Sequence, residues 1–476
     1  MKEYYAIVIG TGSAMNFVEE LQHRNPGKKI AIIDKDEPGG ICLTRGCIPS
    51  KLLIYPADLV REIGTAGKFG IDVELKSIDF TRIMERMRGI ISNYISSIRE
   101  GLTSVPTIDY YHEAAEFIAP YTMKAGNETI TSKMIFLCTG SKPAIPNVMG
   151  LESVKYLTSD TVLGLISLPE SITIMGGGFI AAEYAHFFSA MGSRVTVIGR
   201  NPRFLPNEEP EVSGLAAREM SKHMDIITNH EVIEIQNKDG GKKKIIAQDR
   251  SNGRKVEVVS DELLVATGRV PNTDILHPEK SGIRTDEKGW IVVNEYLETS
   301  QPNIWAFGDA DGKYLFKHVA NYESIVVYEN AVLKKNVKVD YHAVPYAIFS
   351  HPEIAAVGLK EKEAIEKYGE KNVLIGFERY EDTARGEAME VKDFFVKVIV
   401  EAGTNKILGA HIIGPHASVL IQEIVNLMYT IEQSATTVRQ GMHIHPALSE
   451  VVGRAFDSLM SPVYYHHSLK HFGLEQ

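Results

Sequence analysis

Cysteine is scarce in this chain, with three in 476 residues. That is too few for a disulfide framework and excludes a small stapled scaffold. Long hydrophobic runs are missing too. No stretch approaches the roughly 18 apolar residues of a membrane span, so no membrane partner is expected. Basic charge is in deficit: 51 Lys and Arg stand against 61 Asp and Glu, and the net charge of −10 argues against nonspecific binding to nucleic acid. The opening Met-Lys-Glu-Tyr-Tyr runs straight into Ala6-Ile-Val-Ile-Gly10, which leaves no room for a signal peptide, and a cytoplasmic location is expected. Low-complexity segments are absent. The remaining composition, 44% hydrophobic and 24% charged, is that of an ordinary globular protein, and the length suggests about three domains.

Two of the three cysteines are spent in one place. Cys42 and Cys47 lie in the run GGICLTRGCIPSK, residues 39–51, just behind a glycine-rich opening segment. No further Cys or His flanks them at ligand spacing, so no metal site is expected. Such a pair beside a cofactor segment is the sequence form of a redox-active disulfide. The third cysteine, Cys138, ends an apolar strand and is expected to be buried and inert.

The opening segment reads strand, turn, helix, strand: Tyr5 to Ile9, then Gly10-Thr-Gly12, then Ala14 to Arg24, then Ile30 to Ile33, closed by Asp34. Buried parallel strands read as continuous apolar runs, as these do. The glycines allow backbone approach to a pyrophosphate, and the helix N-terminus stabilises its charge. Asp34, 22 residues past Gly12, sits where an acid bonds ribose hydroxyls. Met15 holds the third glycine position, so the helix is expected to stand slightly off the strand.

The pattern recurs from residue 171: Ser171 to Met175, Gly176-Gly-Gly178, Phe179 to Met191, Val195 to Ile198. This is duplication of a domain type, not a short-period solenoid. Ala181 holds the third glycine position. The strand ends in Ile198-Gly199-Arg200, with Arg203 behind it and no acid. A ribose hydroxyl calls for a carboxylate there, whereas a 2′-phosphate calls for arginine, so NADP(H) is favoured over NAD(H). Thr139-Gly140 and Thr267-Gly268 end further apolar strands in small residues. Gly308-Asp309 puts a carboxylate at another strand end, suited to a polyhydroxyl chain such as flavin ribityl.

Residues 52–101 read as largely helical, with Leu59, Ile63, Ile83, Met87, Ile90, Ile91, Tyr94 and Ile98 taken as core packing. Strands are expected at 394–400 and 407–412 and a helix at 419–428. The His-rich tail is expected to be a solvated end.

The segments GGICLTRGCIPSK, GGGFIAAE, VATGRVPN, AFGDA and HIHPALSE resemble, in that order, the signatures of the class I pyridine nucleotide–disulfide oxidoreductases. The resemblance spans Tyr5 to about Phe456. It implies an α/β chain with two Rossmann-like nucleotide-binding domains, for FAD and NAD(P), and a C-terminal α+β dimerisation domain. Expected boundaries are 1–148 and 273–343 for the FAD domain, 149–272 for the NAD(P) domain, and 344–476 for dimerisation. FAD is implied at Gly10, Gly12, Ser13, Asp34, Lys35, Gly40, Thr139, Gly140, Gly308 and Asp309. NAD(P) is implied at Gly176, Gly178, Phe179, Ile180, Ala181, Arg200, Arg203 and Gly268, with Phe179 as the aromatic gate over the flavin.

By the same resemblance, Cys47 is the thiolate set against the flavin and Cys42 the interchange thiol. Lys51 and Glu183 form an ion pair near the flavin's reactive nitrogen. His445, oriented by Glu450, is the base, as a thiol exchange requires; His443 is structural. In the family this pair reaches the other subunit's disulfide, which implies a homodimer. The cysteine motif and HIHPALSE look most like dihydrolipoamide dehydrogenase. GTGSAMN, FIAAEYAHFFSAMGSRVTV, HVANYES and GAHIIGPHASVLIQ look more like mycothione reductase. Dihydrolipoamide is the leading substrate, alone or on a lipoyl domain of a 2-oxoacid dehydrogenase complex. The alternative is NADPH-dependent reduction of a low-molecular-weight disulfide. A non-catalytic subunit docking on a lipoyl-bearing complex, or an NAD(P)H oxidase, fits poorly with an intact cysteine pair and base.

Overall fold

The apolar runs become two parallel sheets. In the first, the strand order is Ile304–Ala306, Ile135–Leu137, Ala6–Ile9, Ile30–Ile33 and Ile108–Tyr111. The central strands are buried along their whole length. Each fully buried Ile or Val contributes about 1.5–3 kcal/mol, which is why such runs cannot remain at an edge. The strand at 304–306 pairs with one near residue 135, so the chain leaves this sheet and returns to it. The structure is a computed structural model that describes residues 1–472.

The second parallel sheet has the order Leu157–Thr158, Glu262–Val265, Ser171–Met175, Arg194–Ile198 and Asp225–Ile227. Its helix Phe179–Met191 is buried on nearly every face, which matches its apolar sequence. An antiparallel three-stranded sheet, 230–260, follows. The third large unit is an antiparallel sheet of Pro345–Ile348, Ile354–Gly358, Ile407–Ile413, Phe395–Glu401 and Val373–Arg379, covered by the helix Ala417–Met428. The two expected strands here and the helix form within one or two residues of their expected bounds.

Residues 52–101 are largely helical, as expected, in two helices: Cys47–Thr65 and Phe80–Ser104 flank a turn and an extended link at 71–79. Two other expectations need correction. Of the apolar stripe, Met87 and Ile91 are core, but Leu59, Ile63 and Tyr94 are exposed on this chain. Helical periodicity reports an apolar face without saying what covers it. The tail is solvated only in part: His466 and His467 are exposed, but the segment is anchored to the fold. Pro462–Phe472 is a helix; Tyr465 is buried and donates to Glu211 Oε1 at 2.7 Å, and His466 Nε2 meets Glu361 Oε1 at 2.7 Å. Residues 473–476 of the tail lie outside the described residues.

Those contacts belong to a buried ionic cluster between the second parallel sheet's unit and the antiparallel unit. Lys397, fully buried, meets Glu211 Oε1 at 2.5 Å, Glu361 Oε2 at 2.7 Å and Glu209 Oε2 at 3.5 Å. Burial alone raises a carboxyl, yet Lys397 and Tyr465 pull Glu211 down to about 2.

Candidate active site

Glycine geometry builds the first cavity. Gly10 has φ 98°, and a Cβ there would fall 2.2 Å from Cys138 O. The second unit repeats this at Gly176, where a Cβ would lie 2.2 Å from Ala266 O. A side chain at either turn would push the strand end apart. Gly40, also at positive φ, brings its Cα side against Gly12, so two glycine loops close on one another. The result is a cavity of about 770 Å³.

All ten residues expected to hold FAD line this cavity: Gly10, Gly12, Ser13, Asp34, Lys35, Gly40, Thr139, Gly140, Gly308 and Asp309. The donor set suits a flavin dinucleotide. Glycine loops offer backbone N–H groups to a pyrophosphate. Thr139 Oγ1 is buried with no hydrogen-bond partner among the described residues, a polar atom awaiting one. Asp309 is held by Ser141 Oγ, which donates at 2.5 Å and in turn accepts from Arg269 Nε at 2.6 Å. Burial raises the Asp309 carboxyl, opposed by Ser141 and Arg269. Asp34 also steadies the turn, with its Oδ2 accepting from Thr11 N at 2.8 Å and Thr11 Oγ1 at 2.6 Å.

Cys42 and Cys47 face the same cavity as free thiols. Gly46 breaks the chain between helices Gly40–Thr44 and Cys47–Thr65, so Cys47 opens the longer helix. A helix N-terminus favours a thiolate. The Cys42 thiol donates to Cys47, and this bond, with Lys51 adding to it against burial, brings Cys47 down to about 7. The same contact, together with burial, pushes Cys42 far up. The two shifts run in opposite directions, so Cys47 is the thiol of the pair that ionises first. Cys138 is pushed well up by burial, as an inert thiol would be.

Lys51 Nζ meets Glu183 at 2.8 Å and 2.9 Å and lies 4.7 Å from the Phe349 ring centre. Glu183 also accepts from Phe349 N at 3.1 Å. Ion pair and cysteines therefore share one wall.

A second cavity of about 1410 Å³ is lined by Gly176, Gly178, Phe179, Ile180, Arg200 and Gly268. Two expected residues differ. Ala181 is buried inside the helix, where its small side chain permits close packing, and Arg203 does not line the cavity. The two cavities meet: Phe179, Arg269, Phe316 and Tyr346 line both. Sequence reasoning missed Tyr346 and Glu208. Tyr346 stacks on Phe316 at 5.9 Å and donates to both Glu208 oxygens at 3.0 Å. Burial pushes Glu208 up to about 7, opposed by Tyr346. No sequence motif marks either residue; only the packing of three units brings them together.

His445 and Glu450 line neither cavity. Glu450 Oε1 is 3.0 Å from His445 Nδ1, and Glu450 Oε2 accepts from Ala447 N at 3.1 Å. Those two bonds hold the Glu450 carboxyl below its usual range. The His445 side chain is 70% exposed. His443 is taken up by Glu423 Oε1 at 2.8 Å.

Two glycine-walled cavities meeting beside a pair of thiols fit an oxidoreductase that couples a pyridine nucleotide to a dithiol/disulfide. Residues 4–380 match the family model described as pyridine nucleotide-disulphide oxidoreductase, and residues 344–456 match that family's dimerisation domain. The chain is 36% identical over 466 residues to a mycothione reductase of Mycobacterium tuberculosis, covering 96% of this chain and 99% of the relative. It is 33% identical over 470 residues to a dihydrolipoyl dehydrogenase of Synechocystis sp., covering 95% and 98%. The HOCl-induced flavoprotein disulfide reductase RclA from Escherichia coli, solved as a Cu(II) complex, matches with a TM-score of 0.85 at 27% identity, covering 96% of this chain and 99% of that one. The chain belongs to the pyridine nucleotide–disulphide oxidoreductase family. It is an FAD-dependent oxidoreductase acting on sulfur, with an NAD(P) site and a dimerisation domain. No helix among the described residues is long and apolar enough to cross a membrane.

Proposed function

We propose that the chain is an NADP(H)-linked reductase of a low-molecular-weight disulfide, working through Cys42 and Cys47. The observation that carries this reading is Arg200, which faces the second cavity where an NAD enzyme would place a carboxylate. A second reading, dihydrolipoamide oxidation, is favoured by the run Gly39–Lys51 and by the dihydrolipoyl dehydrogenase likeness. The domain division supporting both is 1–148 with 273–343, then 149–272, then 344–476.

FAD, when bound, supplies the relay of an electron pair between the nicotinamide and the cysteine pair. The chain's own residues do the rest. Phe179, at the junction of the two cavities, covers the passage between them. Lys51 and Glu183 hold a fixed charge on the thiol side. Cys47 carries the negative charge at rest, and Cys42 exchanges with the substrate sulfur once a base has taken its proton, because only a thiolate attacks or leaves readily. His445 Nε2 holds or returns the substrate's proton, with its ring set by Glu450.

His445 does not line the cavity that holds its own chain's thiols, which supports a homodimer in which His445 and Glu450 of one subunit complete the site of the other. The exposed apolar residues support this too: Met442 and Ile444 in the segment that carries the base, Ile431 in the same unit, and Leu59, Ile63 and Tyr94 on the helical pair. A symmetric interface covering both sets leaves each site made of two chains.

Two results are expected. Arg200→Ala lowers kcat/KM for NADPH about 10–100-fold and leaves NADH within a few-fold, since it removes a charged hydrogen bond to one coenzyme only. Steady-state kinetics with both coenzymes checks this; an equal loss for both would remove the NADP(H) reading. His445→Ala lowers disulfide turnover about 10²–10⁴-fold. NADPH-driven reduction of the cysteine pair, followed by thiol counting, is unchanged in that variant. Dihydrolipoamide oxidation and reduction of a panel of small disulfides, run in parallel on the purified protein, test the substrate. Fast dihydrolipoamide turnover with no disulfide reductase activity would favour the second reading.

A further inference from the structure

Three units each place an aromatic ring where the two cavities meet. Phe179 opens the helix of the second unit, Phe316 follows the Gly308–Asp309 turn, and Tyr346 lies on the strand Pro345–Ile348 of the antiparallel unit. Tyr346 is tied in two directions. Its ring lies within 4° of parallel to the Phe316 ring at 5.9 Å, and Phe316 stacks in turn on His318 at 5.4 Å. His318 Nε2, 2.7 Å from Pro345 O, ties that stack to the start of Tyr346's own strand. The Tyr346 hydroxyl reaches the second unit, donating to both Glu208 oxygens at 3.0 Å. Glu208 is 4% exposed, so this is a buried clasp and not a surface contact. Burial first, and then Glu208, push the Tyr346 phenol up, so it stays the donor at neutral pH.

We infer that Tyr346 and Glu208 are positioning residues that hold the coenzyme cavity in register with the flavin cavity. The inference rests on the second cavity being the coenzyme site, and on neither the choice of coenzyme nor the disulfide substrate.

The argument is one of connectivity. The glycine turn at 176–178 and Arg200 belong to the second unit, whereas the turn at 10–12 and Asp309 belong to the unit of the first sheet. The distance between the two cradles is therefore set by contacts between units. At the junction Tyr346 supplies such contacts: its ring packs on Phe316 on the flavin side, and its hydroxyl is bound on the coenzyme side. Lys51 and Glu183 make another bridge, on the thiol wall. Loss of the Tyr346 clasp is thus expected to loosen the register without parting the units. Transfer between two held rings is sensitive to this, since a misplacement of about 1 Å costs about 100-fold.

The test is anaerobic rapid mixing of the FAD-loaded protein with NADPH and, separately, NADH, following the loss of flavin absorbance. Calorimetric titration of the oxidised protein with NADP+ and NAD+ runs alongside. Tyr346→Phe keeps the ring and removes the bond to Glu208. Its bleaching rate at saturating coenzyme is expected to fall about 10–100-fold, with the Kd for oxidised coenzyme changed by no more than a few-fold. Glu208→Leu is expected to do the same. Glu208→Gln, whose amide oxygen still accepts from the phenol, is expected to recover most of the rate. The double variant Tyr346→Phe, Glu208→Leu leaves no carboxyl buried without its donor; it serves if Tyr346→Phe fails to fold, with the same loss expected. Reduction of Cys42 and Cys47 by dithiothreitol, read by alkylation, uses no coenzyme and is expected to be unchanged in every variant. Wild-type bleaching rates in Tyr346→Phe and Glu208→Leu, or an equal loss in the dithiothreitol reaction, would overturn the inference. If neither coenzyme bleaches the wild-type flavin, the second cavity has been misread and the inference falls with it, a separate failure visible before any variant is made.

Discussion

Cys42→Ser and Cys47→Ser each reduce disulfide turnover to the uncatalysed background. Serine cannot form or resolve a mixed disulfide, and the remaining thiol has no partner to return electrons to. The two variants are expected to differ in what they leave behind. In Cys47→Ser, the hydroxyl can still accept from Cys42, but the negative charge that opposes a Cys42 thiolate is gone, so its alkylation shifts to lower pH. In Cys42→Ser, a hydroxyl still donates to Cys47, and the Cys47 midpoint stays near 7; in Cys42→Ala that donor is gone and the midpoint rises. The sign is fixed by the direction of the shift. A thiol brought down from its ordinary range to about 7 is mainly thiolate above pH 7 and loses reactivity as the pH falls through it. Alkylation rates between pH 5 and 9 read all three variants. Retention of turnover in either serine variant would displace the pair from the chemistry.

The second large effect is on stability. Lys397→Met is expected to cost about 3–5 kcal/mol, because it leaves Glu209, Glu211 and Glu361 buried together without their cation. The loss falls where helix 462–472 and the antiparallel sheet meet the second parallel sheet's unit. Limited proteolysis should therefore release the C-terminal region before the two parallel sheets open. Adding Glu211→Gln and Glu361→Gln to Lys397→Met should recover part of the loss, since the uncompensated charges are then gone. In the unsubstituted chain the Glu211 carboxyl is held down at about 2. Its contribution is present above the ordinary carboxylate range and is lost as pH falls from there towards 2. Thermal unfolding across that range, compared with Glu211→Gln, checks the sign. An unchanged melting temperature in Lys397→Met would mean that the cluster's desolvation cost equals its attraction.

Local chemistry was readable in the sequence. Strand runs such as Ala6–Ile9 and Ser171–Met175 are buried on both faces, so every residue must be apolar and the run announces itself. The flavin cradle was equally legible, because its turns demand glycine for steric reasons that no other residue meets. Features assembled from distant parts were not legible. Glu208 and Tyr346 lie 138 positions apart and meet only when two units pack. Tyr465 read as solvated because nothing local says that Glu211 waits for it. Leu59, Ile63 and Tyr94 share the periodicity of Met87 and Ile91, yet they are exposed on this chain. Arg203 follows Arg200 closely in sequence but does not line the cavity.

The most direct measurement is differential alkylation of the FAD-loaded protein before and after anaerobic addition of NADPH, with each cysteine resolved by mass. Two new thiols per chain are expected, at Cys42 and Cys47, with Cys138 unchanged and both reclosed by a disulfide substrate. A protein that takes electrons from NADPH while Cys42 and Cys47 stay in one state would contradict the assignment of the redox centre.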